Sequence, residues 1–157
     1  MSNRRLAGVI GALFMAGFFG TALAGEVSTL GPLEIDTPWA RASIGTARPG
    51  AAYVTIRNTG EEPDRLVGIE TRFAARPEVH EMEEVGGVMK MRPAQPLEIP
   101  PGGEVRLAPG GPHIMLMQLQ APLEEGKQIP LTLVFDKAGE MTLSAPVASI
   151  GASAPPE

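Results

Sequence analysis

From Gly25 onward, no stretch of more than about ten residues in this chain is free of glycine or proline. A helix of ordinary length cannot be drawn through such punctuation, because proline removes a backbone donor and glycine weakens a helix interior. Between the breaks lie short runs rich in Val, Ile, Leu and Thr, the pattern of an all-β sandwich or barrel. Strands are expected over 33–35, 39–42, 52–58, 65–70, 78–83, 88–92, 104–107, 113–120, 129–135 and 141–145. The turns have local causes: Asn58-Thr59-Gly60, Pro100-Pro101-Gly102-Gly103 and Pro109-Gly110-Gly111-Pro112 supply the positive or fixed φ that reversals need. Gly86-Gly87 between two β-like runs predicts a tight hairpin joining a strand that carries His80 to one that carries Met91.

Residues 1–24 read as a secretory signal, with Arg4 and Arg5 as a basic start, an apolar run to Phe19, and Ala22-Leu23-Ala24 as a small-residue cleavage site. No second stretch approaches the ~20 apolar residues that a membrane span needs, so the mature form is expected to have none. The remainder, 25–150, has the length of one domain. The tail 151–157 is small, polar and Pro-containing, and is expected to be disordered. Loss of the leader removes two arginines and no acid, taking the formal charge from −5 to −7. Such a balance argues against nucleic acid as a partner, since phosphate neutralisation needs clustered Lys and Arg.

Cysteine is absent. No disulfide staples this fold, so burial and strand pairing must hold it, and thiol catalysis, Cys-based zinc sites and thiolate-bound blue copper are excluded. Methionine and histidine, in contrast, are concentrated. Both histidines and five of the six methionines beyond the leader fall between His80 and Met117. Imidazole nitrogen with thioether sulfur suits cuprous copper and serves magnesium or calcium poorly. Residues two apart on a strand share a face, so His80 with Met82, Met89 with Met91, and His113 with Met115 form same-side pairs. One strand offers two neighbours at most, so a metal must draw its donors from several segments.

The spacing His80-x10-Met91-x21-His113-x-Met115, with the flanking words His80-Glu81-Met82, Gly87-Val88-Met89-Lys90-Met91-Arg92 and Pro109 to Met117, resembles the periplasmic copper chaperones known as the PCuAC family. Trp39-Ala40-Arg41, Gly50 to Val54 and Asn58-Thr59-Gly60 are also similar, and the resemblance covers roughly 33–146. It implies a cupredoxin-like or immunoglobulin-like β-sandwich of Greek-key type, preceded by a signal peptide and located in the periplasm. It implies one Cu(I) held by His80, Met91, His113 and Met115, and delivery of that copper to the binuclear site of cytochrome c oxidase through its copper-bearing subunit or another copper chaperone. Some members carry a His- and Met-rich C-terminal extension, and residues 151–157 here contain neither residue type.

Met82, Met89 and Met117 are read as packing residues, with an outer shell or a path for copper as the alternatives. Glu81, Glu83 and Glu84 are read as a solvated strand end. Trp39 and Tyr53 are expected to be buried in the sandwich. The leading reading is a carrier that turns nothing over. A copper buffer, a zinc enzyme built on the two histidines and a nearby Glu, and a metal-free immunoglobulin-like interaction module are the competitors. Thioethers count against the enzyme, because they do little to activate zinc-bound water.

Overall fold

The computed structural model describes residues 27–157, and the expected leader lies outside them. Eleven strands follow in chain order: β1 (Ser28–Leu30), β2 (Leu33–Arg41), β3 (Gly50–Asn58), β4 (Asp64–Glu70), β5 (Ala74–Val85), β6 (Val88–Pro93), β7 (Leu97–Ile99), β8 (Glu104–Leu107), β9 (His113–Leu119), β10 (Gln128–Phe135) and β11 (Gly139–Ala148). No helix among the described residues is long and apolar enough to cross a membrane. The expected strands coincide with these to within a few residues. The two expected at 33–35 and 39–42 are one strand, β2, bent where its register with β3 shifts between Asp36 and Trp39 and Thr37 takes a φ of 47°. The short strands β1 and β7 had no signature in the sequence, because three residues are too few to show a period.

The strands run β6-β5-β9-β3-β2-β11-β10-β4-β7, with β1 on β2 and β8 on β3. β11 is the link between the two layers. It pairs antiparallel with β10 from Gln128↔Pro146 to Phe135↔Gly139, then lies parallel to β2 at Val147↔Ala40 and Ala148↔Arg41. Alternation along each strand sends one set of side chains between the layers. Ile35, Ala52, Ile56, Val79, Ile114 and Leu116 from one layer meet Leu66, Leu131, Leu133 and Leu143 from the other in a single apolar core. Two buried polar side chains tie its loops. Asn58 donates to the carbonyls of Glu62 and Ile99 and accepts from Gly60 N–H, while Asp64 accepts from the N–H groups of Arg65, Lys137 and Ala138.

Trp39 and Tyr53 are buried, but outside the main core. Their neighbours Ala40 and Ala52 point inward, so parity turns both rings to the outer face of the larger sheet. There the rings pack with centroids 4.4 Å apart beside Ala148, Ala51 and Ala152. The chain just after β11 stays on this face. Ala152 packs on the aromatic pair, its carbonyl accepts from Arg41 Nε at 2.6 Å, and its N–H reaches the Ser149 carbonyl.

Candidate metal centre

Strand register brings the donors onto one face. His80 on β5 is directly opposite His113 on β9, and Glu78 is opposite Met115. On the other side of β5, Met82 is opposite Met91 and Glu84 opposite Met89. Paired residues of an antiparallel ladder share a face, and so do residues two apart. His80, Met82, Met89, Met91, His113, Met115 and Met117 therefore all point outward from β6-β5-β9, while Val79, Ile114 and Leu116 point into the core. The core face positions the donor face: a strand that buries Ile114 and Leu116 has no choice but to present His113 and Met115 outward.

The hairpin forms as its glycines require. Gly86 and Gly87 have φ of 62° and 80°, the double left-handed pair of a type I′ turn, and the β5–β6 ladder runs unbroken from His80↔Pro93 to Val85↔Val88. All six residues of β6 are exposed, so the ribbon projects beyond the sandwich. Its two faces differ. Arg92 bridges Glu81 at 2.6 Å and Glu83 at 2.9 Å on the face away from the donors, which places those two acids as the solvated pair expected of them. Glu84 lies on the donor face, beside Met89.

Each histidine has one nitrogen occupied. His113 Nδ1 is 3.0 Å from the Gly111 carbonyl, so it carries the proton and Nε2 keeps its lone pair. His80 is 8% exposed, and its Nε2 is 3.1 Å from Glu78 Oε2. Nδ1 of His80 is buried with no hydrogen-bond partner. A buried polar atom left unpaired carries a desolvation cost unless something binds it. Glu78 is in turn gripped by Arg76 Nε at 2.6 Å, and that contact, with His80 second, holds its carboxyl below the usual range. Tyr53 stands 6.5 Å from the His113 ring, and burial raises its phenol pKa against the opposing pull of Arg41. The aromatic pair thus forms one wall beside the histidines.

The structure brings His80, His113 and Met115 together directly. Met91 is a diagonal neighbour of His80 on the far side of β5, and on a flat sheet its Cα would be roughly 16 Å from that of Met115. Two thioether arms around one ion do not span that, so convergence requires the ribbon to coil over the histidines. Two-stranded ribbons twist most strongly, and this one has no packed partner on either face to resist. The donors fit a soft monovalent ion: neutral imidazole and thioether, no thiolate, and among the described residues no cluster of three His, Cys, Asp or Glu side chains. Glu78 escaped the sequence reading, although its position two residues before His80 on the same strand was a usable signal. Met82 and Met89 do not pack as expected, being 41% and 55% exposed, whereas Met117 is half-buried.

A family model described as LpqE-like matches residues 33–147. The chain is 35% identical over 116 residues to Lxx21020 of Leifsonia xyli subsp. xyli, covering 73% of this chain and 69% of that protein. Among solved structures, the copper-bound PCuAC domain from PmoF2 superposes with a TM-score of 0.67 at 27% identity, over 79% of this chain and 98% of that domain. The solution structure of CuI-DR1885 from Deinococcus radiodurans superposes with a TM-score of 0.57 at 31% identity, over 71% of this chain and 76% of that one. The architecture shared with these neighbours is a cupredoxin-like β-sandwich.

Proposed function

Because the chain belongs to the LpqE-like family and shares its fold with copper-binding PCuAC domains, we propose that it is a periplasmic Cu(I) metallochaperone. The ion is held by His80 through Nδ1, His113 through Nε2, and the sulfurs of Met115 and Met91. One observation carries this reading: two histidines face each other on adjacent strands, each with one nitrogen tied back and the other free, on the face where five methionines gather.

The chemistry of carriage follows from the donor types. Cu(I) is closed-shell and accepts trigonal or tetrahedral surroundings, so a ribbon that swings in to complete the set imposes no strict geometry. Neutral thioethers bind more weakly than thiolates. Transfer to a cysteine-bearing acceptor therefore runs downhill, and Met91, on the exposed ribbon, is the ligand that an acceptor displaces first. The copper-bearing subunit of cytochrome c oxidase is the recipient that the family resemblance favours, and a copper buffer is the alternative fate of the same site. No turnover is assigned, since two thioethers select soft monovalent copper, which does little to activate a bound water, and serve zinc poorly.

Anaerobic Cu(I) competition titration of the parent beside His80→Ala, Met91→Ala, His113→Ala and Met115→Ala tests the site. All four lose affinity, and Met141→Ala, on the sheet distant from the donors, does not. Equal affinity across the series would remove the site. Delivery is tested separately, by whether a cysteine-bearing acceptor withdraws Cu(I) from the loaded protein.

A further inference from the structure

We propose that Met82, Met89 and Met91 form a second, exposed Cu(I) site on the β5–β6 ribbon, which captures the ion and passes it to the histidine pair; the proposal rests on the copper-carriage reading above. Met82 and Met91 are directly opposed, Met89 is diagonal to Met82, and Met89 and Met91 are two apart on β6. Their Cβ atoms thus lie within about 5–8 Å of one another, a spacing that three flexible thioether arms can close around one ion.

Exposure separates these methionines from packing residues. Met82, Met89 and Met91 are 41%, 55% and 45% exposed, while Met141 packs against the core. Apolar side chains held this far into solvent return little burial free energy, so packing does not account for them. The electrostatics of the ribbon agree. Its arginine is tied to Glu81 and Glu83 on the opposite face, and the charge on the donor face of the ribbon is the carboxylate of Glu84, opposite Met89. A monovalent cation therefore meets thioethers beside a negative charge. His80, by contrast, is buried and out of reach of a bulky copper donor.

Met91 belongs to both sites, and this defines the handover. The sulfur of Met91 stays bound while those of Met82 and Met89 leave and His80 Nδ1, His113 Nε2 and Met115 replace them. Copper remains Cu(I) throughout. Neutral donors replace neutral donors, so no proton or electron is required.

The test uses the whole protein carrying ¹³C-methyl methionine, titrated anaerobically with Cu(I). In a His80→Ala/His113→Ala variant the methyl signals of Met82, Met89 and Met91 still shift, and those of Met115 and Met117 do not. In Met82→Leu/Met89→Leu, equilibrium affinity stays within about threefold of the parent while the rate of loading from a Cu(I)–bicinchoninate complex falls at least tenfold. Silent ribbon methyls, an unchanged loading rate, or an affinity loss equal to that of the ligand variants would each overturn the capture site. A parent that binds no Cu(I) would overturn the carriage reading, and this proposal with it. A parent that binds normally while Met82, Met89 and Met91 stay silent in the His80→Ala/His113→Ala variant would overturn the proposal alone.

Discussion

Replacing Glu78 with alanine weakens Cu(I) binding by about 10- to 100-fold, the usual effect of removing the partner that orients a ligating histidine. On the free-energy scale this is about 1.4–2.7 kcal/mol. The direction follows from geometry. Glu78 Oε2 is 3.1 Å from His80 Nε2, and that carboxylate keeps the proton on Nε2 and the lone pair on the buried Nδ1. Arg76, at 2.6 Å from the other carboxylate oxygen, keeps Glu78 in place. Without the carboxylate the ring loses its preferred tautomer and is free to turn, so binding has to restore an order that the parent already possesses. Glu78→Gln retains an acceptor oxygen and loses less. The assay is competition against a chromophoric Cu(I) chelator at pH 7, with melting curves of each apo-protein to separate folding from binding. If copper took Nε2 instead, Glu78 would be a competitor for that nitrogen. Unchanged or tighter binding in E78A would therefore refute the assignment. The pH dependence has a definite sign: the Glu78 carboxyl is held below its ordinary value of 4.5, by Arg76 first and His80 second, so its stabilisation is complete above that pH. As pH falls through the lowered value, the stability difference between parent and E78A disappears.

Ile114→Ala empties a fully buried position directly behind His113 and Met115, and costs roughly 2–5 kcal/mol in urea unfolding. Gly87→Val places a β-branched residue at a φ of 80° with no atom within 4 Å of the added Cβ, so its cost, about 1–2 kcal/mol, is conformational. Because the ribbon is exposed, it shows as faster amide exchange at Met91 and weaker Cu(I) binding, with little change in global stability. Asp64→Ala leaves the N–H groups of Arg65, Lys137 and Ala138 without their acceptor and lowers stability by about 1–3 kcal/mol, measured by thermal melting. Cu(I) at a hundredfold excess over the parent's dissociation constant adds about 2.7 kcal/mol to parent stability, and the His80→Ala/His113→Ala variant, left with the ribbon methionines alone, gains less at the same Cu(I) concentration.

Much of the site was legible because its causes are local. Gly86-Gly87 announced the type I′ hairpin, and period-two alternation placed His113 with Met115 and Met89 with Met91 on common faces. The bent strand β2 was read as two, since Thr37-Pro38 looks like a break and is instead a bulge within continuous pairing. The contact of Ala152 with Trp39 and Tyr53 was not legible for a related reason: composition describes solubility, and nothing in Ala152 itself indicates that the two rings lie beneath it. Glu78 was overlooked because a carboxylate two residues from a histidine is ordinary in sequence. It becomes significant only when it closes on Nε2 and leaves Nδ1 unpaired.

The sequence by itself determined the strand class, the hairpin, the soft donor types and which neighbours along each strand share a side. These depend on φ preferences and on a repeat of two residues, both of which act within a few positions. The tertiary structure alone decided that His80 faces His113, that all the clustered methionines stand on one outer face, and that Met91 rides a ribbon free to coil inward. Register between strands far apart in the chain is chosen by which side chains the shared core will bury. Here the burial of Val79, Ile114 and Leu116 on one side selects which side chains the other side presents outward.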